Sequence, residues 1–159
     1  MVSQIYLLLH NIRSTHNVGA IFRTADAVGV AKIHISGITP APIDRFGRAR
    51  SDISKASLGA EKTVAWESVA DVVALIEKLK KEKFKIVALE QDMKSINYRD
   101  VKGKMKEGQG ILVILGNEVD GIEKEILDLC DDIAEIPMHG SKESLNVSVA
   151  TGIILYSLI

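Results

Sequence analysis

A parallel α/β sheet in one domain is the fold the sequence predicts, and three observations predict it. Short apolar runs of strand length alternate along the chain with segments whose apolar residues recur at helical spacing. One run, Ile111–Leu115, is apolar on both faces, as a central strand covered by helices on either side must be. The chain has 159 residues, 47% hydrophobic and 26% charged, with twelve Gly and only three Pro, which suffices for one domain with a sizeable core.

The elements follow in order. Gln4–His10 reads as a buried strand through Ile5, Leu7, Leu8 and Leu9. Asn11–Asn17 is polar, with Ser14, Thr15 and Asn17 as candidate caps of a helix whose stripe is Val18, Ile21, Phe22, Ala25 and Val28. Gly29 ends that helix. Ala31–Ser36 is a second strand, Gly37–Pro42 a turn-rich loop, Arg45–Ala60 a basic and weakly helical stretch, and Thr63–Trp66 a short strand. Ser68–Lys81 is the clearest helix, with Ser68 as cap, Asp71 in the first turn, a stripe of Val69, Val72, Val73, Ile76 and Leu79, and Lys78, Lys80 and Lys81 at its negative end. Lys85–Leu89 is a strand, Gln91–Gly110 mostly loop, Ile122–Cys130 a short helix, Ile133–Ile136 a last strand and Pro137–Glu143 a loop. In the C-terminal segment Leu145, Val147 and Val149 alternate as in a strand, whereas Ala150, Ile153, Ile154 and Leu158 fit a helix; its length favours the helix. That helix is apolar nearly all round, so burial is expected, in part against another subunit. No internal repeat and no linker is visible.

Composition excludes collagenous, low-complexity and disordered chains. The longest uncharged apolar stretches fall far below the roughly 20 residues that a membrane span needs. Ile5–Leu9 is too short for the core of a signal peptide and follows no basic segment. Cys130 stands alone, which excludes a disulfide framework and a cysteine-based metal site and leaves a reducing, cytoplasmic compartment as the expectation. His10, His16, His34 and His139 form no pair at metal-ligand spacing, so no metal is expected. The net charge of −1 is unevenly spread. Residues 1–62 carry eight Lys and Arg against four acids, and the remainder carries twelve against seventeen. Such an asymmetry fits either a surface for phosphates or solvated charges spread by chance.

Ligands of parallel sheets bind beyond the carboxyl ends of the strands, and three such ends are unusual here. In Asn11–Ala25, Arg23 lies off the apolar face, on a face shared with Gly19 and Asp26. Arg13, Asn17 and Arg23 can converge on a phosphate or sugar near a helix N-terminus, with Gly19 permitting close approach; the plainer alternative is a surface Arg paired with Asp26 beside an ordinary cap. In Ile111–Ile122 a buried strand runs into Gly116, which either brings backbone against a nucleotide-like ligand or makes a plain strand-to-turn junction, with Glu118 and Asp120 as solvated loop acids. The glycines at 116 and 121, with none between, are not the dinucleotide fingerprint, which counts against a dehydrogenase-type enzyme. In Ile136–Ala150, Ser144 and Asn146 are equally readable as caps of the last helix.

Together the three segments resemble the motifs of the SpoU/TrmH branch of the SPOUT superfamily, the S-adenosylmethionine-dependent RNA ribose 2′-O-methyltransferases. The resemblance rests on NVGAIFRTA at 17–25, LGNEVDGI at 115–122 and IPMHGSKESLNVSVA at 136–150, with KASLGAE at 55–61 similar to the stretch between the first two motifs. Asn11–Asn17 lacks the prolines usual in the short wobble-position relatives and looks more like the tRNA-body and ribosomal-RNA groups.

The resemblance implies a Rossmann-like parallel-sheet fold with a C-terminal trefoil knot and a homodimer whose site draws on both subunits; many relatives carry an extra RNA-binding domain, and the expectation here departs from them, a single domain over 1–159 without one. It implies a cofactor, S-adenosylmethionine, lined by Leu89, Gly116, Ile136, Met138 and Leu145 with Ser144 and Asn146 close by. Arg23 matches the family's catalytic arginine, Asn17 its positioning partner, and Glu118, Ser144 and Asn146 complete the catalytic set. Arg45, Arg48, Arg50 and Lys55, with Arg13, would contact the backbone of a tRNA or rRNA; neither DNA nor a membrane is an expected partner. The competing expectation on the same fold is a catalytically silent RNA-binding or ribosome-assembly protein.

Overall fold

A computed structural model describes residues 2–159. Seven strands form one sheet in which every pairing is parallel: β1 (Ile5–His10), β2 (Lys32–Ser36), β3 (Trp66–Val69), β4 (Lys85–Leu89), β5 (Ile96–Asn97), β6 (Ile111–Leu115) and β7 (Asp132–Glu135). Their order across the sheet is β3-β2-β1-β6-β4-β7-β5. β6, drawn from late in the chain, thus separates β1 from β4, and all five of its residues are buried. The helices are α1 (Thr15–Val28), α2 (Ser51–Ser57), α3 (Ala60–Thr63), α4 (Val72–Lys81), α5 (Lys124–Leu127) and α6 (Val147–Leu158).

Side-chain alternation along the strands divides the core into two layers. Leu7, Leu9, Val87, Val113 and Leu115 meet α1 and α6 on one face; Leu8, Ile86, Ala88, Leu112 and Ile114 meet Leu75, Ile76, Leu79 and Ile126 on the other. In-register pairing aligns Leu9, Leu115 and Leu89, so three adjacent strands end at one level and their following loops share one edge of the sheet.

Several expectations shift. Ser14, not Asn17, caps α1, accepting from the Asn17 N–H at 3.1 Å, so Asn17 sits inside the first turn with its side chain free for other work. Asp71, not Ser68, caps α4, accepting from Ala74 N–H at 3.0 Å; Ser68 belongs to β3, which runs from Trp66 rather than ending there. Thr63 closes α3. The polar stretch Gln91–Gly110 holds β5 and two 3₁₀ turns. The last segment is a helix capped by Asn146, whose side chain accepts from Ser148 N–H at 2.9 Å. It is buried on one side only: Val149 and Tyr156 lie on the other, 51% and 56% exposed.

Candidate functional site

The loops after β4, β6 and β7 and the start of α6 enclose a cleft of about 560 Å³. Leu89, Leu115, Ile136, Met138 and Leu145 supply its apolar surface, and Gly116 and Ser144 also line it. Every residue expected to line a cofactor site is therefore there except Asn146, which stands just outside the lining as the cap of α6. The charged residues of the lining are Glu90, Glu118, Asp120 and Glu143, with no Lys or Arg among them. An acid-lined cleft favours a cationic or neutral ligand and disfavours a phosphate-bearing one.

The loop Gly116–Ile122 forms one wall and is held by its own polar groups. Asn117 is buried; its side-chain oxygen accepts from Val119 N–H (2.8 Å) and Asp120 N–H (3.0 Å), while its amide donates to the Asn11 carbonyl (3.0 Å). Glu90 accepts from Ile122 N–H at 3.1 Å. Gly121 has φ +69°, and a Cβ there would meet that Glu90 carboxylate at 2.5 Å. Gly116 is needed for the same closure: a Cβ on it would strike Ile122, with the Gly121 carbonyl carbon at 3.1 Å. The glycines thus serve the tightness of the loop. Just beyond it, Glu123 accepts from His10 Nε2 at 2.8 Å, and the opposite ring nitrogen of buried His10 meets the Ser36 hydroxyl at 2.7 Å. Burial opposes ionisation of Glu123, but its own backbone N–H and His10 outweigh this and hold its carboxyl below the usual range.

At the mouth, three of the expected catalytic residues join in a chain. Asn146 Nδ2 donates to Asn17 Oδ1 at 3.1 Å, and Asn17 Nδ2 donates to Glu118 Oε1 at 3.0 Å. One asparagine thereby ties the N-terminus of α6 and the β6 loop to the first turn of α1. Ser144 lies in the cleft lining two residues before the cap.

Arg23 is apart from this group. It is exposed on α1, outside the cleft lining, about 9 Å along the helix axis from Asn17 at 1.5 Å per residue. No Arg23–Asp26 ion pair forms among the described residues, and Asp26 accepts instead from the Thr63 hydroxyl at 2.7 Å. Gly19 does not admit a ligand either. A Cβ there would lie 2.6 Å from both Ala56 Cβ and Ile53 O, so its missing side chain lets α2 pack on α1. Arg13, Arg45, Arg48 and Lys55 are exposed and Arg50 is half-buried; none lines the cleft. Among the described residues no cluster of His, Cys, Asp and Glu suits a metal, and no helix is long and apolar enough to cross a membrane.

Glu90, Asn117 and the His10–Glu123 pair were missed as site residues in the sequence. The signal was present, since Glu90 follows β4 directly and His10 ends β1, both at carboxyl strand ends.

Comparison with known proteins fits this geometry. Residues 4–156 match the family described as the SpoU rRNA Methylase family. The chain is 36% identical over 149 residues to the tRNA (guanosine(18)-2′-O)-methyltransferase of Aquifex aeolicus, covering 92% of this chain and 64% of the relative. It is 31% identical over 157 residues to the 23S rRNA (guanosine-2′-O-)-methyltransferase RlmB of Vibrio vulnificus, covering 99% and 59%. The AdoMet-bound rRNA methyltransferase structure from Sinorhizobium meliloti superposes with a TM-score of 0.83 at 27% identity, covering 99% of this chain and 56% of that one. The chain spans about three fifths of the length of the curated relatives it matches.

Proposed function

This chain belongs to the SpoU rRNA methylase family, and from that premise we propose that it transfers a methyl group from S-adenosylmethionine to the ribose 2′-hydroxyl of a nucleotide in structured RNA, tRNA or rRNA. The observation that carries the reading is the acid-lined cleft at the carboxyl strand ends, closed at its mouth by Asn146, Asn17 and Glu118. The residues present fit the donor. Leu89, Ile136, Met138 and Leu145 offer apolar surface to a flat ring system, and Glu118, Asp120 and Glu143 offer negative charge to a sulfonium and an ammonium. When bound, the donor supplies an electrophilic methyl carbon. A dinucleotide, with its phosphates, finds no cation in the lining.

The protein's own part is positioning and electrostatics. The Asn17 amide, fixed between Glu118 and Asn146, holds the cleft mouth where a ribose enters. Arg23 orients the hydroxyl and a neighbouring phosphate and stabilises the developing alkoxide as the hydroxyl proton leaves to water; a guanidinium is a better donor than base. Arg23 sits on the exposed side of α1, whose next residue, Thr24, packs beside Gly152 of α6. A second copy covering the exposed apolar strip of α6 would lie against it, so we take the working unit to be a homodimer, with the C-terminal segment forming the family's trefoil knot.

Methyl transfer from labelled donor to tRNA and rRNA tests the reading, with the product identified as a 2′-O-methylated nucleoside by mass spectrometry. Arg23→Ala and Arg23→Lys should both lose transfer while keeping donor binding, because an ammonium cannot reproduce the planar fork. Near-normal turnover of either removes Arg23 from the mechanism. Donor binding with no transfer to either RNA pool by the parent chain leaves a silent RNA-binding protein instead.

A further inference from the structure

Phe46 is 66% exposed and belongs to neither core layer. An aromatic ring in water on a loose loop would need no explanation, but this ring stands at the tip of a fixed hairpin. Ile43 and Ala49 pair as an antiparallel bridge. Asp44 N–H donates to the Arg48 carbonyl at 2.8 Å, and Gly47, at φ +77°, donates back to the Asp44 carbonyl at 3.0 Å. The Asp44 carboxylate accepts from Phe46 N–H at 2.8 Å, Arg48 N–H at 3.0 Å and Arg48 Nε at 3.1 Å. Hydrogen bonds of the backbone and of the Asp44 carboxylate thus hold these seven residues in shape, and the Phe46 side chain makes none of them. Two guanidiniums lie over its ring, Arg45 Cζ at 4.8 Å and Arg48 Cζ at 5.0 Å from the centroid. Arg48 is tethered by Asp44; Arg45 makes no ion pair among the described residues and can swing away.

The hairpin follows β2, so it leaves the same edge of the sheet as the cleft. β2 is separated from β6 only by β1, a lateral step of about 10 Å at the usual strand spacing. A ring with one tethered and one untethered cation beside it, on the edge of the sheet that carries the cleft, matches the chemistry of nucleobase recognition. Unpaired bases stack on aromatic faces and guanidinium planes while their flanking phosphates meet the charges.

Resting on the RNA reading above, we propose that Phe46, with Arg45 and Arg48, is a stacking site for one unpaired nucleobase of the RNA substrate. Arg45 leaves the ring for a phosphate as the base arrives, and Arg48 remains as the fixed edge of the stack. Selection is then for a nucleotide in a loop or bulge, since a base held in a duplex offers no free face to the ring.

The test compares Phe46→Ala, Phe46→Leu and Phe46→Trp in filter binding and in methyl transfer with unfractionated tRNA and rRNA. Phe46→Ala and Phe46→Leu should weaken RNA binding by about fivefold or more, as loss of one stacked base does, and raise KM for RNA. Phe46→Trp should restore both. The salt dependence of binding should stay as in the parent chain, because stacking releases no counterions, whereas Arg45→Gln should flatten it. Binding of S-adenosylhomocysteine should be unchanged throughout. A Leu variant as good as the parent overturns the proposal, and so does an unaffected Ala variant. A change of oligomeric mass in Phe46→Ala by light scattering assigns the ring to a protein interface and also overturns it. A parent chain that binds donor but neither RNA pool overturns the RNA reading and this site with it.

Discussion

Gly19→Ala sets two known effects against each other, and the structure decides the sign. Alanine is favoured over glycine inside a helix by about 1 kcal/mol, so on propensity alone the variant is stabilised. The added Cβ, however, would lie 2.6 Å from Ala56 Cβ and 2.6 Å from Ile53 O, with Ser57 N at 3.2 Å. Carbon atoms rest near 3.5–4.0 Å, so α2 must retreat by about 1 Å. Two of the three neighbours are backbone, and no rotamer change relieves them. Overpacking of this kind costs about 1–3 kcal/mol, and because the clash is with main chain we take the upper half, leaving a net loss of about 1–2 kcal/mol after the propensity gain. For a chain of this size that is about 2–8 °C in Tm. The assay is thermal and urea unfolding of the parent, Gly19→Ala, Ala56→Gly and the double variant. Removing the Ala56 methyl relieves only part of the contact, so the cycle should show a coupling that recovers part of the loss. A Gly19→Ala variant that melts higher than the parent would refute the packing argument. A variant of unchanged stability that loses only RNA binding would reinstate Gly19 as a ligand-facing position.

Three further outcomes follow from the same geometry. Replacing both Asp120 and Glu143 by their amides should weaken S-adenosylmethionine, a sulfonium, a few-fold more than S-adenosylhomocysteine, a neutral thioether, because exposed charges contribute about 0.2–1 kcal/mol each; equal losses by calorimetry would mean that the carboxylates do not sense the ligand's charge. Buried His34 has its pKa lowered from 6.5, mainly by desolvation, with neighbouring Glu67 opposing. The unfolded chain therefore binds the proton more readily, stability is full above about pH 6.5 and falls as the pH drops below it, and His34→Gln should remove that part of the acid sensitivity of Tm. Burial pushes the Cys130 thiol up to about 12, so iodoacetamide at pH 8 should alkylate it far more slowly than the same thiol in urea; equal rates would place Cys130 on an open surface.

The core was legible where one property decides the outcome. A run of five apolar residues rich in β-branched side chains, Ile111–Leu115, has the length and composition of a strand covered on both sides, and it is the fully buried central strand. The stripe Val18, Ile21, Phe22, Ala25 is the buried face of α1. Misreadings fell where two local solutions were equivalent in sequence. Ser68 and Asp71 are both good caps, and only the pairing of Ser68 with Ile35 in the sheet assigns the role to Asp71. β5 has two residues in a polar stretch and exists because β7 offers it an edge. Gly19 could not be assigned from the chain alone, since a glycine left open for a ligand and one left open for a neighbouring helix are the same letter. The cleft residues came from the motif resemblance. What the motifs did not carry was the role of Asn117 and Glu90 in shaping the loop, because those hydrogen bonds join segments far apart in sequence.

On the function proposed above, two ligands of opposite sign must meet, and the charge distribution is readable in that light. A methyl donor is cationic at its reacting sulfur, and RNA is a polyanion, so a surface uniformly attractive to one repels the other. Here the cleft lining holds Glu90, Glu118, Asp120 and Glu143 and no Lys or Arg, while Arg13, Arg23, Arg45, Arg48 and Lys55 lie outside it on exposed surface. The overall charge of −1 hides this division. With a Debye length of about 8 Å at physiological salt, charges on either side of the mouth are partly screened from each other, and each ligand responds mainly to its own surface. Acids at the mouth also act against phosphates that stray into the donor site. Asn17 stands at the boundary, neutral, holding Glu118 on one side and Asn146 on the other. A neutral amide there can present a donor to ribose without drawing in a phosphate, which a lysine at the same position would do.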